Sequence, residues 1–80
     1  MEIKVGSIVR SIAGHDKGSL LLVVALEKGY AYVADGKLRK IEKPKKKKLK
    51  HLQGFCNLTD KEFSENYQIR EILMENTKRV

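Results

Sequence analysis

Turn-forming residues cut the first 54 positions of this chain into segments too short for a typical core helix. Gly6-Ser7, Gly14 to Gly18 (GHDKG), Lys28-Gly29, Asp35-Gly36 and Pro44 fall at close intervals, and the stretches between them are rich in β-branched and apolar residues. The pattern predicts strands over 8–13, 20–26 and 30–34. The middle one, LLLVVAL, is apolar throughout, as suits a strand covered on both faces. Asp35-Gly36 is the dipeptide preferred in two-residue hairpins, so 30–34 is expected to turn straight back into a strand over 37–41. Pro44 cannot donate to a ladder and makes 43–46 a loop or a sheet edge. Alternation of Lys48, Lys50 and Leu52 against Leu49 and His51 points to a final short strand over 48–52.

The tail has a different character. Thr59 and Glu62 have capping-box spacing, predicting a short helical turn over 60–63. Ser64 or Asn66 is placed to cap a second helix running to about residue 78. Ile69, Ile72 and Leu73 fall on one face of that helix, and Asn76 ends the stripe. So short an apolar face either packs on the sheet edge or docks a partner. The fold expected from pattern is mainly β: a small barrel of about five strands over 1–54, then a helical C-terminal extension over 55–80 packed on it.

Charge follows the same division. Residues 1–54 hold 13 basic and 5 acidic side chains, net +8, whereas 55–80 hold 4 and 5, net −1. Nine of the 17 Lys and Arg residues lie between Lys37 and Lys50, with Glu42 the one acid among them. Two readings compete for this window: a phosphate-binding surface, or a solvated basic edge that keeps the protein soluble. Its concentration exceeds what solubility requires, which favours a polyanion partner. Lysines there would position nucleic acid without reading its sequence, while Arg10 and Arg39 suit bidentate or stacked contacts.

Eighty residues suffice for one domain, which buries only about 60% of the surface its unfolded chain exposes. The longest apolar run has seven residues, far short of the roughly 20 that span a bilayer. The N-terminus lacks the features of a secretory signal. Cys56 is the single cysteine, so no intrachain disulfide can form, and a small partly buried hydrophobe is its expected role. The expectation is a cytoplasmic protein without membrane association. His15, His51 and Cys56 have no metal-ligand spacing, no phosphate-cradling glycine loop is present, and the acids are dispersed. We therefore expect no enzymatic activity and no cofactor.

Gly6, Val9, Lys17, Gly18 and Val23 are spaced as in the KOW motif: a glycine, a valine three later, a turn ending in Lys-Gly, and a valine five further on. Residues 5–36 resemble that motif, and the basic stretch after them, with Pro44 and His51-Leu52, is similar to small bacterial KOW proteins related to archaeal and eukaryotic-type large-subunit ribosomal proteins. The resemblance implies an SH3-like β-barrel, RNA binding and no catalysis. In such proteins the turn between the first two strands approaches RNA, which nominates His15, Asp16, Lys17 and Gly18, flanked by Arg10. Structured RNA, ribosomal RNA foremost, is the expected partner, bound by a protein monomeric when free, within a ribosome or other ribonucleoprotein.

Together the residues expected at an RNA surface are Arg10, His15, Lys17 and Gly18 from the first half, and Lys37, Arg39, Lys40, Lys43, Lys45, Lys46, Lys47, Lys48 and Lys50 from the window. Asp16 has the wrong charge for a phosphate contact and is expected to hold the turn through bonds to nearby backbone. His15 either stacks or donates to phosphate, or is merely solvated. Tyr30 and Tyr32 share a strand face and are either a stacking platform or half-buried strand residues. The competing functional expectation is a protein-interaction module on transcription or translation machinery.

Overall fold

The protein, examined as a computed structural model, is described over residues 2–56, 58–59 and 61–77. Five strands, β1 (Ile8–Ser11), β2 (Leu20–Glu27), β3 (Tyr30–Ala34), β4 (Lys45–Lys48) and β5 (Leu52–Cys56), form one antiparallel sheet in the order β4-β3-β2-β1-β5. A single 3₁₀ turn, Leu49–His51, joins β4 to β5, and helix α1 (Asn66–Thr77) follows.

That short joint dictates the shape. In a flat five-stranded sheet the edge strands lie four spacings of about 4.8 Å apart, roughly 19 Å. Four Cα steps from Lys48 to Leu52 span at most about 14 Å even when extended. The two edges therefore approach each other at this corner, and the sheet curls. Register shifts between Val23 and Ala25 in β2 and between Ile8 and Val9 in β1 sharpen the bend. No ladder joins β4 to β5, so the curl stays open rather than forming the closed barrel expected.

Both faces of the sheet are covered, as the unbroken apolar run of β2 requires. Val9, Leu21, Val23, Ala31, Val33 and Leu52 form a core inside the curl, with Ile3 and Leu49 against it. On the outer face Ile8, Leu22 and Ala34 meet Ile69, Ile72 and Leu73 of α1, with Phe63 and Ile41 at the margin. Burying each of those helical side chains stabilises the docked helix by about 1.5–3 kcal/mol. The helix begins differently from expectation. Its Gln68 Oε1 reaches back to accept the Glu65 N–H at 2.9 Å, while Asn66 serves the sheet. Asn66 Oδ1 accepts the Ile41 N–H and its Nδ2 donates to the Glu42 carboxylate, each at 2.8 Å, so the start of α1 is pinned to the β3–β4 connection.

Three other expectations are corrected. Residues 37–41 are not a strand, and Asp35-Gly36 is not a two-residue hairpin. Asp35 Oδ1 instead accepts the N–H groups of Lys37 and Arg39 at 2.8 and 2.9 Å, while the Arg39 carbonyl accepts from Asp35 and Gly36, closing a braced loop. Gly36 takes the left-handed φ of +80° that this loop needs. The final strand starts at Leu52, where 48–52 had been expected to be extended. Of the turn expected over 60–63, Asp60 lies outside the described residues and 61–63 are not helical, although Thr59 Oγ1 accepts the Lys61 N–H. The helix is described to Thr77; its expected continuation to 78 lies outside the described residues.

Candidate nucleic-acid interface

The lysines of β4 are chemically identical, and the ladder separates them. Lys45 and Lys47 pair with Val33 and Ala31 and share their inward parity; Lys46 and Lys48 pair with Tyr32 and Tyr30 on the outer face. Lys47 is buried, and its ammonium donates to Oδ1 of Asp16 at 2.8 Å and to the carbonyl of Ala13 at 3.0 Å. Asp16 Oδ1 also accepts the Ser11 hydroxyl at 2.8 Å. Burial raises the Asp16 pKa, but hydrogen bonds from Lys47 and Ser11 and the charge of Lys47 outweigh it and hold the carboxyl below its ordinary 3.8. Asp16 thus holds the GHDKG turn through side chains from two other elements, Ser11 and Lys47, rather than through the backbone bonds expected. Lys47, nominated as an RNA contact, has its ammonium turned to this task.

The turn is braced throughout. Amides of Lys17, Gly18 and Ser19 donate to Gly14, Ser11 and Asp16 carbonyls, so these three face inward to the protein rather than toward a ligand. Gly18 has φ +93°, and nothing lies within 4 Å of where its Cβ would stand, which leaves an open approach to the turn's outer surface. His15 and Lys17 are exposed there. Arg10, half-buried on β1, donates from Nη1 to the Gly18 carbonyl at 3.3 Å and so stands beside the turn.

Lys46 lies on the outer face, its ammonium 2.8 Å from Glu27 and 4.5 Å from the Tyr30 ring centroid. Its hydrogen bond holds the Glu27 carboxyl below its usual range, and Glu27 in turn raises the Lys46 pKa. Tyr32 donates to the same carboxylate. Lys46 therefore covers the Tyr30 ring, which does not present an open platform. With Lys46 and Lys47 in ion pairs, seven of the nine basic residues of the window carry no ion pair among the described residues: Lys37, Arg39, Lys40, Lys43, Lys45, Lys48 and Lys50. Arg39 is half-buried in the braced loop and the other six are exposed.

Two elements the sequence separates are brought together. The β1–β2 turn and the β3–β4 loop face each other across a small cleft between His15 and Arg39. A second groove, about 730 Å³, runs between α1 and the turn, lined by Leu20 and Leu73 with Tyr67 and Met74 on its rim. Leu38, at the tip of the β3–β4 loop, is 89% exposed. Neither Leu38 nor Tyr67 stood out in the sequence. Apolar residues carry no site signal until a fold leaves them outside the core.

Among the described residues no group of three or more His, Cys, Asp or Glu is placed to hold a metal ion, and no helix is long and apolar enough to cross a membrane. No family model matches the chain, and a comparison with curated proteins gave no match.

Proposed function

We propose that this protein is a non-enzymatic RNA-binding protein of the KOW type, acting in translation on structured RNA, with ribosomal RNA its foremost ligand. The curled sheet is then the open form of an SH3-like barrel. One observation carries this reading: the Lys47–Asp16 tie fixes the lysine-rich edge strand against the GHDKG turn. Two basic segments are thereby held as one surface, with Lys45, Lys48 and Lys50 exposed beside it. Seven cations without ion pairs in one window suit a phosphate backbone, whose neutralisation releases counterions. Lys47 acts as the post on which the surface is built.

Electrophoretic mobility of a structured RNA and of duplex DNA, titrated with the full chain over a salt series, tests this. Retardation of the RNA at low salt, weakening steeply as salt rises, is expected; no retardation at low salt contradicts it. The second reading, a docking module on transcription or translation machinery, draws on the groove beside α1 with half-exposed Tyr67 and Met74. Capture of a partner that survives nuclease treatment favours docking, and its loss on treatment favours RNA.

A further inference from the structure

The cleft between the β1–β2 turn and the β3–β4 loop has a volume of about 380 Å³. That lies within the roughly 300–1,000 Å³ of sites that hold small molecules. His15, Asp16 and Ser19 line one side, Asp35, Leu38 and Arg39 the other, with buried Leu21 behind. The two carboxylates are engaged within the protein, Asp16 by Lys47 and Ser11 and Asp35 by the amides of its own loop. Both walls are stiff. The turn is held by Lys47 and by its own amides, and the loop by the two N–H groups on Asp35 Oδ1 and the two on the Arg39 carbonyl. A single exposed leucine on a surface is ordinary. Leu38 differs in being held out on a braced loop, between two cations and across the cleft from His15.

We infer that this cleft receives one unpaired nucleobase of the bound RNA, an inference that rests on the RNA-binding reading above. Leu38 gives the base an apolar contact, the Arg39 guanidinium a planar cation that stacks, and His15 a ring across the cleft. Phosphates on either side fall to Lys17, Lys37 and Lys40. Every base has a π face, so the site selects unpaired nucleotides rather than a sequence. Bulges and loops supply such bases, whereas a continuous A-form stem keeps them stacked. A peptide strand fits less well. The amides of Lys17, Gly18 and Ser19 in the turn, and of Asp35, Gly36, Lys37 and Arg39 in the loop, are all committed to internal bonds.

Three RNA hairpins with one stem sequence test the inference: fully paired, carrying one unpaired nucleotide, and carrying an abasic residue at that nucleotide. Affinities are measured by fluorescence anisotropy for the full chain and for Leu38→Ala, His15→Ala and Arg39→Lys, the last keeping the charge but not the plane. The bulged hairpin is expected to bind about tenfold tighter than the paired one, and the abasic hairpin to return to the paired value. Each variant is expected to draw that ratio toward one, and Leu38→Ala, which removes no charge or polar group, to do so while holding the paired affinity within about twofold. Equal wild-type affinity for all three hairpins overturns the inference and leaves RNA binding standing. No binding of any hairpin at low salt overturns the RNA reading and the inference with it. A protein partner held through nuclease treatment and lost on Leu38→Ala assigns the cleft to protein, which also overturns it.

Discussion

The ammonium of Lys47 stands 2.8 Å from Oδ1 of Asp16, joining an edge strand to a turn 31 residues earlier in the chain. Exposed ion pairs contribute about 0–1 kcal/mol. This one has side chains only 8% and 17% exposed, so removing one partner strands the other's charge in a dry setting. Lys47→Met is therefore expected to destabilise the fold by about 3–5 kcal/mol in urea denaturation, and Lys45→Ala or Lys48→Ala by less than about 0.5 kcal/mol. Combining Lys47→Met with Asp16→Leu should recover much of the loss. Equal effects of Lys47→Met and Lys45→Ala would mean that the tie is not structural.

The same contact sets an acid response. The folded Asp16 carboxyl lies below its unfolded value of about 3.8, because the Lys47 and Ser11 bonds outweigh the opposing effect of burial. A depressed carboxylate contributes stability that is fully present above the unfolded pKa and is lost as pH falls through the folded one. Urea midpoints are expected to hold above about pH 5 and to fall below about pH 4. Asp16→Asn should remove part of that acid limb. Glu27 and Glu42 are also lowered, by Lys46 and by Asn66 respectively, but they act alike in both proteins. Superimposable acid limbs for wild type and Asp16→Asn would contradict this assignment.

Gly36 and Gly29 have nearly the same backbone, φ +80° and +78°, in different surroundings. A Cβ at Gly29 meets nothing within 4 Å, whereas at Gly36 it would lie 2.9 Å from Arg70 Cγ and against the Asn66 carbonyl. Gly29→Ala should cost about 1–2 kcal/mol, the left-handed penalty by itself. Gly36→Ala should cost more and loosen α1, seen as lost helical circular dichroism. Equal costs would show that the loop and helix have room to part.

Strands β1 to β3 and the helix were legible because each is specified locally, by apolar runs between turn residues or by a 3.6-residue stripe. The β3–β4 connection was not. Asp35-Gly36 has the composition of a tight hairpin, but the Asp35 side chain closes a wider loop, and the helix packing against Gly36 is invisible in local sequence. Four consecutive lysines also give no parity signal. Which of them turns inward is decided by pairing with β3 and by Asp16, both non-local. The cationic character of the site was readable from composition, whereas its buried post and its exposed Leu38 depended on tertiary placement.

Lys46 and Lys45 are adjacent yet should differ in RNA binding. Lys46 is engaged by Glu27 and lies over Tyr30, on the opposite face from Lys45. Anisotropy titrations should show Lys45→Ala weakening RNA binding more than Lys46→Ala. The reverse order would show that the pair with Glu27 does not withdraw Lys46 from RNA.

The most direct test of the central claim is the salt dependence of affinity for a labelled structured RNA, compared between the wild-type chain and a Lys45→Ala, Lys48→Ala, Lys50→Ala triple variant that leaves the Lys47 post intact. A steep linear fall of log affinity with log salt is expected in the wild type. The triple variant should fold normally and lose about 0.7–0.9 from the slope for each contact removed, roughly 2–3 in all. An unchanged slope in a folded triple variant, or no wild-type binding at low salt, would contradict it.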